Sequence, residues 1–438
     1  MFDENIDDID YDWQADLVGI SVRTMFAKRA YEISDMYQKK GCKTVLGGIH
    51  PSMCPEEAMN YCDCVVIGEA ENVWGMLLKD AEQGQLKRIY RAESLVDLSS
   101  APPISRSCLS RARYLQDMIQ TTKGCPFHCE FCSVHAFDGQ KIRNKSIEQV
   151  IAEIKDINSS LSKYKKKNAI FFADDNIIAN KKFASELFEA LKPHNINWMC
   201  QASINISKED ELLGLMRDSG CGAIFIGIES MSKKNLEVMR KEINQQYDYT
   251  EAIRIIQSYG ILVHSSFIVG YDHDCESAFD EMIDFIQETK QLMPLINILT
   301  PFPGTELFKR MEKEGRILHK DWSRYDTKHV VFQPPKLSPQ ELEAGYRKIV
   351  REVYSFDAIW KKLNYYWEID FWKRANEVDP VKFSYRLIFA LRLFSLLFSR
   401  NINRSKFIIK ILPKVFDRRA RISSILALMA YNDFAYSL

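Results

Sequence analysis

The sequence of 438 residues has no net charge, because 59 Lys and Arg side chains balance 59 Asp and Glu side chains. A general nucleic-acid binder normally carries a basic excess, so we expect no nucleic-acid partner. The acidic start, Met-Phe-Asp-Glu-Asn, lacks the basic and then apolar segments of a signal peptide. We therefore expect a cytoplasmic protein, in which clustered cysteines are metal or redox candidates rather than disulfides.

Long apolar runs are also missing. The strongest run, residues 387–398, is interrupted by Arg392 and is too short for a bilayer span. Residues 381–421 around it carry 11 Lys or Arg against one acid, Asp417, which is a local net charge of +10. A helix of this kind either packs against the rest of the protein or lies in a membrane interface, so 384–421 is a candidate for peripheral membrane contact. Its narrow polar stripe is formed by Ser384, Arg392, Ser395 and Ser399.

The first hundred residues alternate between strand and helix patterns. Short apolar runs rich in β-branched residues predict strands at 16–22, 44–48 and 64–68, and helical patterns lie between them at 26–40 and 55–61. This order predicts a Rossmann-like, flavodoxin-like parallel sheet over 1–100, with a ligand crevice at the carboxyl ends of its strands. Those ends carry Ser21, Gly47, Gly48, His50, Gly68 and Glu69.

A segment rich in Pro, Ser and Arg predicts a linker over 101–115. Six more strand patterns follow, separated by helical ones, at 117–121, 169–173, 198–203, 223–228, 262–269 and 296–300. They predict an α/β fold with a partial (β/α)6, TIM-like barrel over 116–335, whose active residues lie at the carboxyl ends of the strands. Residues 336–438 have helical and aromatic patterning without strand spacing, so we expect a helical C-terminal region.

Three cysteines follow the first barrel strand on a single loop, at Cys125, Cys129 and Cys132. Soft thiolate ligands at this spacing select an iron-sulfur cluster or zinc. A four-iron cluster held by three cysteines leaves one iron with an open coordination position. His135 follows three residues after the last cysteine, so a Cys3His zinc site is the alternative.

The spacing CxxxCx(aromatic)C at the end of a barrel strand resembles the signature of radical S-adenosylmethionine (SAM) enzymes. The resemblance implies a 4Fe-4S cluster on Cys125, Cys129 and Cys132, with SAM bound at the fourth iron. It also implies that Phe131 lies against the adenine. Further positions match the strand ends from which the family reaches the rest of SAM: Asp174, Asp175, Gln201, Ser203, Glu229, Ile268 and Gly270.

The upstream segment extends the resemblance. DLVGIS, VLGGIHP and VVIGEAE are similar to the later half of the cobalamin-binding domain that precedes the barrel in one branch of the family. The resemblance implies that the six residues named at the strand ends contact cobalamin. Three strands fit where that domain usually has five, and the Asp-x-His-x-x-Gly motif that ligates cobalt is absent. We therefore expect an N-terminally shortened domain, either a shortened gene product or a degenerate module with weakened cobalamin binding.

The resemblance implies an enzyme that cleaves SAM with a 4Fe-4S cluster and functionalises an unactivated carbon, by cobalamin-dependent methylation of a small-molecule or lipid substrate. Rearrangement, cyclisation or oxidation without cobalamin is the alternative outcome. An inactive or zinc-stabilised scaffold is the alternative of another class. The electron donor would be a flavodoxin or ferredoxin, and no catalytic acid or base is indicated by the sequence.

Overall fold

A computed structural model describes residues 1–102, 104, 106, 114, 116–159, 170–373, 383–396, 402–417 and 422–437. Most of the expected linker, together with Cys108, lies outside these residues. The described chain forms an N-terminal parallel sheet, a six-stranded half-barrel and a helical C-terminal region, which confirms the predicted α/β fold.

The N-terminal sheet has four parallel strands in the order β1-β2-β3-β4. The strands are β1 Leu17–Ser21, β2 Lys43–Gly47, β3 Cys64–Ile67 and β4 Ile89–Arg91. The helices of this part are α1 Ala27–Lys39, α2 Ile49–Met53, α3 Pro55–Ala58 and α4 Trp74–Glu82. Among the described residues β1 pairs only with β2, so it is an edge strand of this sheet.

The sequence interpretation of three strands was wrong by one, because β4 was missed. This strand is only three residues long and lies in a polar stretch, with Ile89 and Arg91 exposed and Tyr90 buried. The hydroxyl of Tyr90 donates a hydrogen bond to Asp80 at 2.7 Å. A single buried residue gives no apolar run for a sequence pattern to detect.

The half-barrel is a six-stranded parallel sheet in the order β12-β11-β10-β9-β8-β5, so all six predicted strands are confirmed. They are β5 Asp117–Ile119, β8 Ile170–Phe172, β9 Trp198–Ala202, β10 Cys221–Glu229, β11 Leu262–Val269 and β12 Leu295–Ile298. A small antiparallel pair, β6 Thr122–Lys123 and β7 Arg143–Asn144, closes the base of the loop that carries the cysteines. The barrel helices are α5 Ser133–Phe137, α6 Ile147–Ser159, α7 Lys181–Leu191, α8 Asp210–Asp218, α9 Lys233–Val238, α10 Tyr249–Ser258, α11 Glu276–Glu288 and α12 Glu306–Lys313.

The C-terminal region is helical, as predicted. Its described helices are α13 Pro339–Val353, α14 Phe356–Glu368, α15 Phe383–Leu396, α16 Ile402–Ile411 and α17 Ile422–Ser437. Helix α13 begins with a capping box between Ser338 and Glu341, and it packs so closely on α11 that a Cβ at Gly345 would lie 2.2 Å from Phe279 Cε2. This contact attaches the C-terminal helices to the outside of the barrel.

Helix α15 contains most of the apolar run noted in the sequence. Phe389 and Leu393 are buried, at 5% and 1% exposed, whereas Leu391 on another face is 61% exposed. The side chains of the expected polar stripe, Ser384, Arg392, Ser395 and Ser399, lie outside the described part of the structure. Within that part, no helix is both long enough and apolar enough to cross a bilayer.

Candidate functional site

The three cysteines of the loop line one cavity of about 270 Å³ inside the half-barrel. The loop begins at Gly124, which has φ +90, and a Cβ there would lie 2.5 Å from the Lys141 carbonyl oxygen. Only glycine fits this position without displacing the backbone opposite. The amide of Cys125 then donates to the Gly139 carbonyl at 3.3 Å, which fixes the start of the loop.

The sulfur spacing distinguishes between the two metal sites expected from the sequence. Two thiolates on one zinc ion can be at most about 4.6 Å apart, because each Zn–S bond is about 2.3 Å. The sulfurs of Cys125, Cys129 and Cys132 do not all lie within 4.8 Å of one another. A four-iron cluster holds its cysteine sulfurs farther apart, since each binds a different iron. The donor set therefore fits an iron-sulfur cluster better than zinc.

Burial disfavours free thiolates at all three positions. It raises the pKa of Cys125 above its ordinary value and the pKa of both Cys129 and Cys132 to about 11. Neighbouring negative groups add to the rise. Three thiols placed together in such surroundings require positive charge nearby when they ionise as ligands.

The cavity contains a cation that the sequence reasoning missed, Lys241. Its Nζ donates to Glu229 Oε1 at 2.6 Å, and its side chain is only 14% exposed. Burial alone lowers the pKa of Lys241, but the charges of Glu229, Cys129 and Cys132 outweigh it and raise the pKa above its ordinary value. The lysine therefore stays charged beside the cysteines.

A β-bulge aims Glu229 into the cavity. The register between β10 and β11 shifts between Gly227 and Glu229, and Glu229 has φ +66. Asn244 supports the bulge, because its Nδ2 donates to the carbonyls of Gly227 and Ile228 at 2.9 and 3.1 Å. No motif or periodicity in the sequence marks Lys241 or Asn244, since Lys241 reaches the cavity and Asn244 reaches the bulge only through the tertiary fold.

The two acids after β8 have different surroundings. Asp174 Oδ1 accepts the amides of Thr121 and Thr122, so this residue anchors the backbone that leads to the cysteine loop and does not line the cavity. Asp175 lines the cavity, and its buried Oδ2 has no hydrogen-bond partner among the described residues. Burial raises the pKa of Asp175 to about 7, and the charges of Asp138 and Asp174 contribute to the rise.

Most of the other residues expected to contact SAM reach the same cavity. Phe131, Gln201 and Ser203 line it. Asn176, which follows Asp175 and was not among the expected contacts, donates to Ser203 Oγ at 3.1 Å and lines the cavity too.

Ile268 and Gly270 do not line the cavity in the described structure. A Cβ at Gly270 would lie 2.6 Å from Leu342 Cδ2, so this position faces helix α13. The motif located the strand correctly, but Gly270 at its end faces helix α13 and not the cavity.

The six residues expected to contact cobalamin divide into two groups. Ser21, Gly47, Gly48 and Gly68 lie at the carboxyl edge of the N-terminal sheet. Ser21 is exposed, and Gly68 has φ +83 with open space where a Cβ would be. The edge is thus accessible at Ser21 and Gly68, whereas a Cβ at Gly48 would lie 3.0 Å from the Val22 amide nitrogen.

His50 and Glu69 are engaged elsewhere. His50 is fully buried, and its Nε2 contacts the Tyr31 hydroxyl at 3.0 Å. Glu69 is 4% exposed; its carboxylate accepts from Arg143 Nη1 at 2.7 Å, from Lys123 Nζ at 2.9 Å and from the Val96 amide at 2.8 Å. Glu69 therefore joins the N-terminal sheet to the barrel, and its partner Lys123 lies two residues before Cys125.

A second polar network joins the same two parts. Trp322 Nε1 donates to the Glu57 carboxylate at 2.8 Å, and the Tyr31 hydroxyl contacts the same group at 3.0 Å. A Cβ at Gly304 would lie 2.2 Å from Met53 Sδ, which shows how closely the barrel loop and α2 approach. The sheet edge that carries Ser21 and Gly68 is thus held against the barrel.

Models of known families match most of the chain. The radical SAM superfamily matches residues 119–286, and the B12 binding domain matches residues 3–77. A domain of unknown function, DUF4070, matches residues 305–435. These boundaries follow the three parts of the described structure.

Two curated relatives and one solved structure are similar over most of their length. The bacteriochlorophyllide d C-12(1)-methyltransferase of Chlorobaculum tepidum is 34% identical over 366 residues, which cover 81% of this chain and 79% of that protein. The hopanoid C-2 methylase of Rhodopseudomonas palustris is 29% identical over 81% of this chain and 67% of that protein. The cobalamin-dependent SAM radical enzyme OxsB with aqua-cobalamin bound has a TM-score of 0.62 at 17% identity, over 98% of this chain and 72% of that chain.

Proposed function

Because the chain belongs to the radical SAM superfamily and to its branch with a B12 binding domain, we propose that it methylates an unactivated carbon of an apolar polycyclic small molecule. The observation that carries the proposal is the placement of three cysteines and the Glu229–Lys241 pair around one cavity. The names of the relatives support the substrate class, since bacteriochlorophyllides and hopanoids are both polycyclic.

Cys125, Cys129 and Cys132 would hold the 4Fe-4S cluster. When bound, the cluster and SAM supply the reductive cleavage of SAM that starts the reaction. Lys241 would neutralise the carboxylate of SAM, and Glu229 would accept hydrogen bonds from its amino or ribose groups. Phe131 offers an aromatic face for the adenine, and Gln201 and Ser203 offer polar groups for the remainder.

The chain's own contribution is to position these groups and to exclude water. Phe225, Ile226 and Leu295 give the cavity an apolar wall opposite the cysteines. An apolar, enclosed site strengthens the charge interactions of Lys241 and keeps water away from reactive species. Asp175 offers a buried carboxyl oxygen without a partner, which is available to a bound ligand.

Cobalamin would bind at the edge formed by Ser21, Gly47, Gly48 and Gly68, where it supplies the methyl group. We leave His50 and Glu69 out of this proposed contact set, because both are buried and already bonded, His50 to Tyr31 and Glu69 to Arg143. The expected contact set is therefore reduced from six residues to four.

The reducing electron would come from a flavodoxin or a ferredoxin. The sequence has no cysteine after Cys275, so it offers no second cluster motif downstream of the barrel to serve as an internal relay. An external donor is the simplest source for a chain with one such motif.

Peripheral contact with an anionic membrane is the second part of the proposal. On α15, Leu387, Ile388, Leu391 and Phe394 are each at least 44% exposed, although a helix in water normally presents polar residues there. The surrounding segment 381–421 carries the local charge of +10. Exposed apolar residues between basic flanks favour the surface of a bilayer that contains anionic lipids.

The test of methylation uses SAM with a deuterated methyl group and the anaerobically reconstituted holoenzyme. Bacteriochlorophyllide d and a hopanoid are supplied in separate reactions, and the masses of the products are measured by mass spectrometry. A product heavier by one deuterated methyl supports the proposal. SAM cleavage that leaves both substrates unlabelled, and that gives a rearranged or oxidised product instead, would favour the alternative outcome without cobalamin.

A further inference from the structure

A second cavity, of about 380 Å³, lies at the open edge of the half-barrel. One wall is the start of β12, and the other walls come from α13, from α17 and from the loop at Thr327 and Lys328. Strand β12 pairs only with β11 among the described residues, so no further strand covers its outer side. The cavity is an open groove beside the last strand of the barrel.

Leu295 joins this groove to the cysteine cavity, because it lines both. The strand register explains how. Leu295 pairs with Ser266, and Ser266 pairs with Gly227, so the three residues lie at one level across the sheet. Gly227 is the residue beside the Glu229–Lys241 pair. A molecule in the groove is therefore separated from the cysteine cavity by the side chain of Leu295.

The edge of β12 is open at Leu295, because the loop at Thr327 and Lys328 covers only the carboxyl end of this strand. Thr327 has φ +65, an uncommon conformation for a β-branched residue, and its carbonyl accepts the Ile298 amide at 2.7 Å. Its hydroxyl also donates to Asn297 Oδ1 at 3.1 Å. These contacts hold the loop at the far end of β12 and leave the segment before it accessible.

Four aromatic side chains line the groove: Tyr346, Tyr354, Tyr431 and Phe434. Tyr354 and Tyr431 stack with their ring centroids 4.8 Å apart, and the Tyr354 hydroxyl is fixed by donating to the Pro294 carbonyl at 2.5 Å. Phe434 lies beneath Lys328, whose Nζ is 4.7 Å from the ring centroid. Flat aromatic walls suit a polycyclic or long-chain apolar ligand, and the exposed lysine at the rim suits a negative group on it.

We propose that this groove binds the substrate, an apolar polycyclic molecule with an anionic group, and that Lys328 pairs with that group. The end of the substrate that reacts would pass Leu295 into the cysteine cavity. The inference rests on the proposed function, and it adds the location of the substrate site and the charge of the substrate.

The test measures binding of two probes to the anaerobic holoenzyme by equilibrium dialysis: protoporphyrin IX, which carries two carboxylates, and its neutral dimethyl ester. Lys328→Gln should weaken binding of the acid about 5-fold and leave the ester unchanged. Tyr431→Ala should weaken both probes about 10-fold. Tyr431→Phe, which keeps the ring, should bind like the wild type and controls for misfolding.

Lys313→Gln is the matched control, since Lys313 is an exposed lysine of α12 outside the groove. Equal affinity of all variants for the acid, or an equal loss for acid and ester in Lys328→Gln, would overturn the inference. Probe binding needs no turnover, so the two proposals can fail separately. A protein that binds the probe through Lys328 and Tyr431 but does not cleave SAM contradicts only the proposed function.

Discussion

Glu229 Oε1 and Lys241 Nζ lie 2.6 Å apart at a place where Gly227 leaves room for them. A Cβ added at Gly227 would lie 2.1 Å from that oxygen and 2.6 Å from that nitrogen. The absence of a side chain at one position of β10 thus permits a buried ion pair beside the cysteines.

Gly227→Ala should therefore displace the ion pair while the cysteine loop stays in place. We expect SAM cleavage to fall about 10-fold or more, mainly through KM for SAM, and the free energy of unfolding to fall by about 1–3 kcal/mol. Gly222→Ala on the same strand is the control, because no atom lies within 4 Å of its added Cβ. Equal KM values for the two variants would contradict this role of the pair.

Removing Glu69 should destabilise the contact between the N-terminal sheet and the barrel. Glu69→Ala leaves the buried Arg143 without its carboxylate and removes the nearer carboxylate of Lys123, and we expect a loss of about 3–5 kcal/mol in the free energy of unfolding. Glu71 also contacts Lys123, at 3.3 Å, but it is 45% exposed. Glu71→Ala should cost less than about 1 kcal/mol, and similar losses in urea denaturation of the two variants would refute the assignment.

His264 predicts a pH dependence of stability. Burial lowers the pKa of this β11 residue to about 4, below the ordinary 6.5 of the unfolded chain. The neutral imidazole is favoured in the folded state, so its contribution is complete above pH 6.5 and is lost as the pH falls toward 4. We expect a loss of about 2 kcal/mol by pH 5. In His264→Phe the free energy of unfolding should fall less between pH 7 and pH 5, and identical pH slopes would count against the prediction.

Membrane contact should depend on the exposed face of α15. Leu391→Asp should reduce sedimentation with vesicles of phosphatidylcholine and phosphatidylglycerol at low salt by about 3-fold or more. Leu78→Asp, on the exposed face of α4, is the control. The membrane proposal is wrong if the wild-type protein does not sediment with these vesicles. It is also wrong if the protein forms a dimer that Leu391→Asp dissociates, because the exposed face then binds a second copy of the chain.

The strands and the cysteine loop could be predicted because their signals are local. Apolar runs mark all six barrel strands, and the spacing of Cys125, Cys129 and Cys132 is visible in eight residues. The sequence could not show where side chains at strand ends point. Glu69 and Gly270 stand at the expected strand ends, yet one binds Arg143 and the other faces Leu342.

Residues that reach the site only through the tertiary fold are not marked by any pattern in the sequence. Lys241 follows Glu229 by 12 positions and meets it only because the chain folds back across the bulge. Leu295 joins two cavities because β12 is the last strand of an open barrel. Such contacts depend on the assembled fold and not on any sequence pattern.

The central claim is that the three cysteines hold a cluster that cleaves SAM. The most direct measurement is the iron content and the 5′-deoxyadenosine formed by the anaerobically reconstituted protein, compared with Cys129→Ala and with Cys275→Ser, an exposed cysteine outside the site. We predict about four iron atoms per chain and SAM cleavage in the wild type and in Cys275→Ser, and the loss of cleavage in Cys129→Ala. A colourless, iron-free wild-type protein without cleavage, or a Cys129→Ala variant that cleaves SAM like the wild type, would contradict the claim.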